Sequence, residues 1–342
     1  MVVDSGWRAI PDRFWRSSKV SLAGSTMAGT SNRSSTLLIG AFLAVYVVWG
    51  STYLAMRFGV ESFPPLLLAG TRHLITGLVF YPLLRWKTGI RPTAAHWTTA
   101  AITGFLLLCV GNGGVCWAEL TVPSGVTALL VAMVTLWMVL VDWWRPGGHR
   151  PSGRVFFGVF LGFAGLALLV GPTHLGSSGR IDPLGAAVLV VASFAWACGS
   201  LYSKHGSLPG SAMLSMSMQC LAGGVALWIG GFLTGEVSRL HVAAISARSW
   251  LAVAYLIVFG SGIGFTAYIY ILKNSTAARV ATYAFVNPVV ALLLGWMFAG
   301  ETLTLRTVAA AAVILGAVVL VITAPHSVPA AKIEQAPCPS EA

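Results

Sequence analysis

Ten apolar stretches of roughly twenty residues follow one another with short polar breaks: 36–57, 65–85, 97–117, 123–144, 154–172, 183–203, 212–234, 249–271, 277–299 and 305–323. About 20 such residues, wound as a helix, cross the hydrocarbon of a bilayer. No water is available there, so the backbone must bond to itself, and a helix does that within one segment. The composition agrees, with 56% hydrophobic and 9% charged residues, where a soluble domain has about 25% charged. The expected fold class is therefore an all-α integral membrane protein with ten transmembrane helices. The loops leave almost no chain for a soluble domain. The polar tails, 1–35 and 324–342, are expected to lack stable order. The first has no continuous apolar core and does not read as a secretory signal. Met27 stands close to the first stretch and is a candidate start.

One helix is written twice. VVWGSTYLAMR (47–57) and FAWACGSLYSK (194–204) each carry a tryptophan and, eight residues on, a basic residue. Trp49 and Arg57 match Trp196 and Lys204 at an offset of 147. A weaker match sets SGVTALLVAMVTLWMVLV (124–141) against AARVATYAFVNPVVALLL (277–294) at an offset of 153, with Val126 facing Arg279 as a plain mismatch. The halves are 36–172 and 183–323, five stretches each. Five is odd, so a second copy must enter the membrane from the opposite side. Two such inverted five-helix repeats are a recurring plan of secondary transporters, with the substrate near the midplane between them.

The net charge of +11 raises the question of nucleic acid. Its placement answers in favour of a bilayer. With the amino terminus inside, fifteen Lys and Arg fall on the cytoplasmic side and five on the far side, with Arg72 within the membrane. Without the tails the bias is six to one in the first half and three to four in the second. The first half therefore sets the orientation, with both termini cytoplasmic. Cys109, Cys116, Cys198 and Cys220 lie in apolar stretches, and Cys338 lies in the tail. None has metal-ligand spacing, so they read as small apolar fillers.

Three segments carry a more specific likeness: WGSTYLAMRFGVESFPPLLLAGTRHL, VGNGGVCWAELTVPSGVTALLVA and ATYAFVNPVVALLLGWMFAGETLT. The chain resembles the drug/metabolite transporter superfamily in its EamA-domain branch over about 36–323. The resemblance implies ten helices in two EamA repeats, an inner-membrane location, cytoplasmic termini and export of small metabolites. It also implies a central cavity lined mainly by helices 1, 3, 4, 6, 8 and 9, with 5 and 10 peripheral. Many members have a proline in the fourth helix where this chain has Thr135, whereas Pro288 is kept in the ninth. The two gating helices are therefore expected to bend unequally.

The candidate cavity residues are the uncharged polar and aromatic groups on those helices. Trp49 and Tyr53 share a face of helix 1, Trp196 and Ser200 of helix 6, and Tyr283 and Asn287 of helix 9, each pair at i and i+4. Asn112 sits between glycines on helix 3, and Tyr268 is on helix 8. Singly, such residues also serve as glue between helices. Arg72 lies about eight residues into helix 2. A charge at that depth costs at least ~2.5–3.5 kcal/mol and normally faces protein or water. It reads as an anion anchor or, favoured because helix 2 is not a main cavity helix, as a structural lock on carbonyls near Pro64 and Pro65. Glu119 is the one plausible proton carrier of the first half, although a solvated helix end is its simpler reading. No carboxylate sits at mid-membrane, which argues against a multidrug cation pump.

Gly158, Gly162 and Gly165 are placed for close approach of another helix. FGSGIGF (259–265) lies inside a stretch with no strand before it, so it reads as close packing or a hinge and not a nucleotide loop. The seven histidines are scattered, and no nucleophile–base pair or metal cluster stands out. No cofactor is expected. A secondary transporter for a small molecule is the leading reading. An integral-membrane enzyme acting on lipids is the alternative, and a scaffold or channel is the third.

Overall fold

The computed structural model describes residues 31–144, 151–170, 181–275, 277–280 and 282–323. Both expected tails lie outside these residues, apart from 31–35. The described chain is helical. Seven helices are long and apolar enough to cross a membrane: α1 (Thr36–Gly59), α2 (Pro65–Thr88), α3 (Ala94–Ala118), α4 (Ser124–Trp144), α6 (Pro183–His205), α7 (Ala212–Leu233) and α8 (Ala247–Asn274). Three shorter apolar helices complete the series: α5 (Gly153–Val170), α9 (Tyr283–Ala299) and α10 (Leu305–Ile322). This is a multi-pass membrane protein.

Local chemistry starts and stops these helices. Prolines at the first helical position open α2 and α6. Asp182, Ser211, Ser246 and Thr304 accept the first free amides of α6, α7, α8 and α10. Gly89 and Gly300, at φ 65° and 64°, close α2 and α9 in the left-handed region that a side chain would resist.

The packing repeats itself. Helix α1 lies on α8 and α9, and α6 lies on α3 and α4, while α2 pairs with α7, α4 with α9 and α5 with α10. Exchanging each helix with the one five places away leaves this set unchanged. In the α5–α10 pair, Gly158 and Gly165 sit against Val321 and Ile314, and Gly162 faces Leu136 of α4. Large apolar side chains such as Phe160, Leu233, Leu251 and Leu305 point outward, as a lipid-facing surface requires.

Helix α4 is interrupted at Ala132–Met133, where amides bond three residues back instead of four: Met133 to Leu130, and Leu136 to Met133 at 2.9 Å. Helix α9 runs on through Pro288. The two helices do differ, but it is the one without proline that is interrupted.

Candidate functional site

A cavity lies where the two halves meet. Helix α1 lines it with Trp49, Thr52, Tyr53 and Met56, α3 with Leu108, Asn112 and Val115, and α8 with Gly260, Ser261 and Phe265. Val131, Trp196 and Tyr283 come from α4, α6 and α9, and Arg72 and His73 from α2. The three main contributors each contain a π-helical segment: Val45–Trp49, Gly104–Asn112 and Leu256–Phe265. Widening a helix this way turns side chains out of the regular register, and such segments are frequent at functional sites.

One wall is aromatic. The rings of Trp49 and Trp196 meet edge to face at 5.5 Å, and Trp49 also packs on Tyr268 at 4.8 Å and Tyr283 at 5.7 Å. Each tryptophan reaches into the other half. The indole N–H of Trp49 donates to the Gly260 carbonyl of α8 at 3.1 Å. A Cβ on Gly264 would lie 2.5 Å from Trp49 Nε1, and one on Gly111 of α3 would lie 2.9 Å from the Trp196 ring. Gly111 and Gly264 stand 153 residues apart, the offset of the weaker sequence match. The twice-written tryptophan thus meets a twice-written glycine of the opposite half, where only the lack of a side chain leaves room.

The other wall is polar. His73 Nε2 lies 3.3 Å from Asn112 Oδ1, and His73 Nδ1 lies 3.4 Å from Ser261 Oγ and 3.8 Å from Cys220 Sγ. Both ring nitrogens therefore have polar partners, with the Asn112 amide oxygen able to accept from Nε2–H. Arg72, one residue before, is 5% exposed, and its Nε and Nη1 have no hydrogen-bond partner among the described residues. Glu119 is wholly buried, contrary to a solvated helix end, and both its oxygens are unpartnered among the described residues. It lies close enough to feel Arg57, Arg72 and Glu301, but no carboxylate of the described residues is within 4.0 Å of Arg72.

The repeated basic residues have matching partners. Arg57 donates to the Glu119 carbonyl at the end of α3, and Lys204 Nζ to the Ser275 carbonyl at the end of α8 at 3.0 Å. Cations there satisfy orphan carbonyls and oppose the negative helix end. Glu301 does the converse, accepting from the amides of Ser124 at 2.6 Å and Gly125 at 3.1 Å at the start of α4.

Of the residues singled out in the sequence, Trp49, Tyr53, Asn112, Trp196, Tyr283 and Arg72 stand on the cavity wall. Ser200 and Tyr268 form a layer behind it, their hydroxyls 2.6 Å apart and Tyr268 also 3.3 Å from Trp196 Nε1. Asn287 is 2% exposed with Oδ1 unpartnered among the described residues, and it is not on the wall, nor is Pro288. Helix α2 was expected outside the cavity, yet it enters through Arg72 and His73. His73 does not stand out in the sequence among seven scattered histidines. Its place beside a membrane-depth arginine was the available signal. Thr52, Met56 and Ser261 gave none.

Apolar helices packed around a shared cavity, in a multi-pass membrane protein, define the general class. Comparison with known proteins makes it specific. The model of the EamA-like transporter family matches residues 36–171 and 183–323, and the chain belongs to that family. It is 40% identical over 294 residues to the uncharacterized inner membrane transporter YedA of Escherichia coli (strain K12), covering 86% of this chain and 93% of that one. A probable amino-acid metabolite efflux pump of the same strain is 24% identical over 77% of this chain and 87% of the pump. A crystal structure 19% identical, covering 84% of this chain and 96% of its own, shares the fold with a TM-score of 0.58.

Proposed function

We propose that this chain is a secondary transporter that exports a small amphipathic metabolite, amino-acid-like or similar, across the inner membrane. Its two halves, 36–172 and 183–323, are inverted repeats that rock about the cavity and open it to each side in turn. Trp49, Tyr53, Asn112, Trp196 and Tyr283 contact the substrate, while Ser200, Tyr268 and Asn287 hold the wall from behind. Glu119 is the proton carrier, and α9 bends at Pro288 during gating. The observation that carries the reading is the exchanged pair, Trp49 on Gly264 and Trp196 on Gly111. A contact made the same way from both halves can be loosened on one side while its twin holds. The family and the efflux-pump name of one relative support a transporter and not a lipid enzyme.

The test is counterflow. Proteoliposomes loaded with an unlabelled amino-acid mixture should take up labelled amino acids beyond protein-free liposomes. No excess for any compound counts against the reading. Both termini are cytoplasmic, on the charge bias of the first half. A carboxyl-terminal fusion to a reporter active only in the periplasm should stay silent, and activity there would reverse the topology.

A further inference from the structure

Arg72 offers a site that the transport reading leaves open. The side chain is 5% exposed, stands on the cavity wall, and presents Nε and Nη1 with no hydrogen-bond partner among the described residues. A structural lock would show these hydrogens on helix carbonyls, and neither nitrogen is so engaged. Its neighbour His73 does have partners, Asn112 and Ser261, so the polar wall is complete except at the guanidinium. Glu119 is within electrostatic reach but beyond contact. A buried guanidinium with an open edge is a receptor for a planar anion, because two of its N–H groups in one plane match two carboxylate oxygens.

The rest of the same cavity says what the anion is attached to. Trp49, Trp196 and Tyr283 line the same cavity and pack on one another. Flat aromatic surfaces cover an apolar or aromatic body and leave no charge to pair with a second anion. We infer that the cavity takes a small monocarboxylate, its carboxylate on the Arg72 fork and its apolar body against the Trp49, Trp196 and Tyr283 rings. This rests on the transport reading for its purpose, though not for the binding itself.

The experiment compares phenylacetate with phenylacetamide, which share a ring and differ by the charge. Binding to the full-length protein in detergent is followed by calorimetry at pH 7. Phenylacetate should bind about tenfold or more tighter, the difference one charge-assisted bond makes. Arg72→Gln should bring the two to within about twofold, with Arg72→Lys intermediate because it keeps charge without the fork. Trp49→Phe should weaken both alike. Equal affinity of the two compounds for the wild type, or no binding of either, overturns the anchor, and this arm stands even if both Arg72 variants fail to fold. If equal binding is seen together with counterflow of amino acids, the anchor falls and the transporter stands. If Arg72-dependent binding is seen without any counterflow, the anchor stands and the transport reading falls.

Discussion

In the first half of the chain Arg57 holds the carboxyl end of α3, and in the second Lys204 holds the end of α8. Trp49 covers a glycine of α8, and Trp196 covers the matching glycine of α3. Away from those shared contacts the halves diverge. To the cavity wall the first supplies the ionisable pair Arg72 and His73, and the second supplies the hydroxyls of Ser261 and Tyr283. A scaffold doubled by repetition suits a device that must present the same barrier to both sides. A ligand with one charged end still has to be oriented, and identical walls could not do it. Symmetry therefore sits in the packing, and asymmetry in the groups that face the cavity.

The shared part should be the most costly to break. Valine at Gly264 would set a Cβ 2.5 Å from the Trp49 indole, and valine at Gly111 one 2.9 Å from the Trp196 ring. Overpacking of this kind costs about 1–3 kcal/mol. Gly264→Val should abolish transport and lower the unfolding temperature most, with Gly111→Val next. A Gly264→Val protein with normal transport and melting would show that the tryptophan–glycine contact carries neither the stability nor the proposed rocking of the halves.

A milder change separates the two tryptophans. Trp49→Phe leaves the buried Gly260 carbonyl without its indole donor, a loss of about 1 kcal/mol. Trp196→Phe takes away a longer bond to the Tyr268 hydroxyl, which still has Ser200 at 2.6 Å. It should therefore cost clearly less. Chemical or thermal unfolding of both variants in one detergent gives the order, and equal losses would mean that ring packing alone sets the stability.

Much of the fold was legible because membrane helices announce themselves by length and hydropathy. The ten stretches align with ten apolar helices among the described residues, seven of them long enough to span. The break in α4 was not legible where it occurs, since it falls at Ala132–Met133, where no proline or glycine marks it. In the cavity, the tryptophans and Tyr283 were readable because aromatic residues stand out at i and i+4 spacing. The role of α2 was not, because its apolar pattern gives no sign of which face meets α3 and α8. Gly111 and Gly264 were hidden by the abundance of glycine, 38 in the chain. Only their partners single them out.

The smallest effect is expected where the halves touch outside the membrane-spanning segments. Asp182 caps α6 through the Leu184 and Gly185 amides, at 3.2 and 3.0 Å, and accepts the Thr121 hydroxyl from the α3–α4 link at 2.8 Å. The Thr121 hydroxyl first, and then the Gly185 amide, hold its carboxyl below the usual range. A carboxyl depressed in the folded state adds stability that is present above its unfolded value, near 3.9, and is lost as pH falls through the lower folded value. Asn is nearly as good a cap, so Asp182→Asn removes only the charge. The variant should melt slightly below the wild type at pH 6, and the gap should close as the pH is brought down towards 3. A gap that stays open at pH 3 would mean that the carboxylate charge has no part in joining the halves, and that shape alone does so.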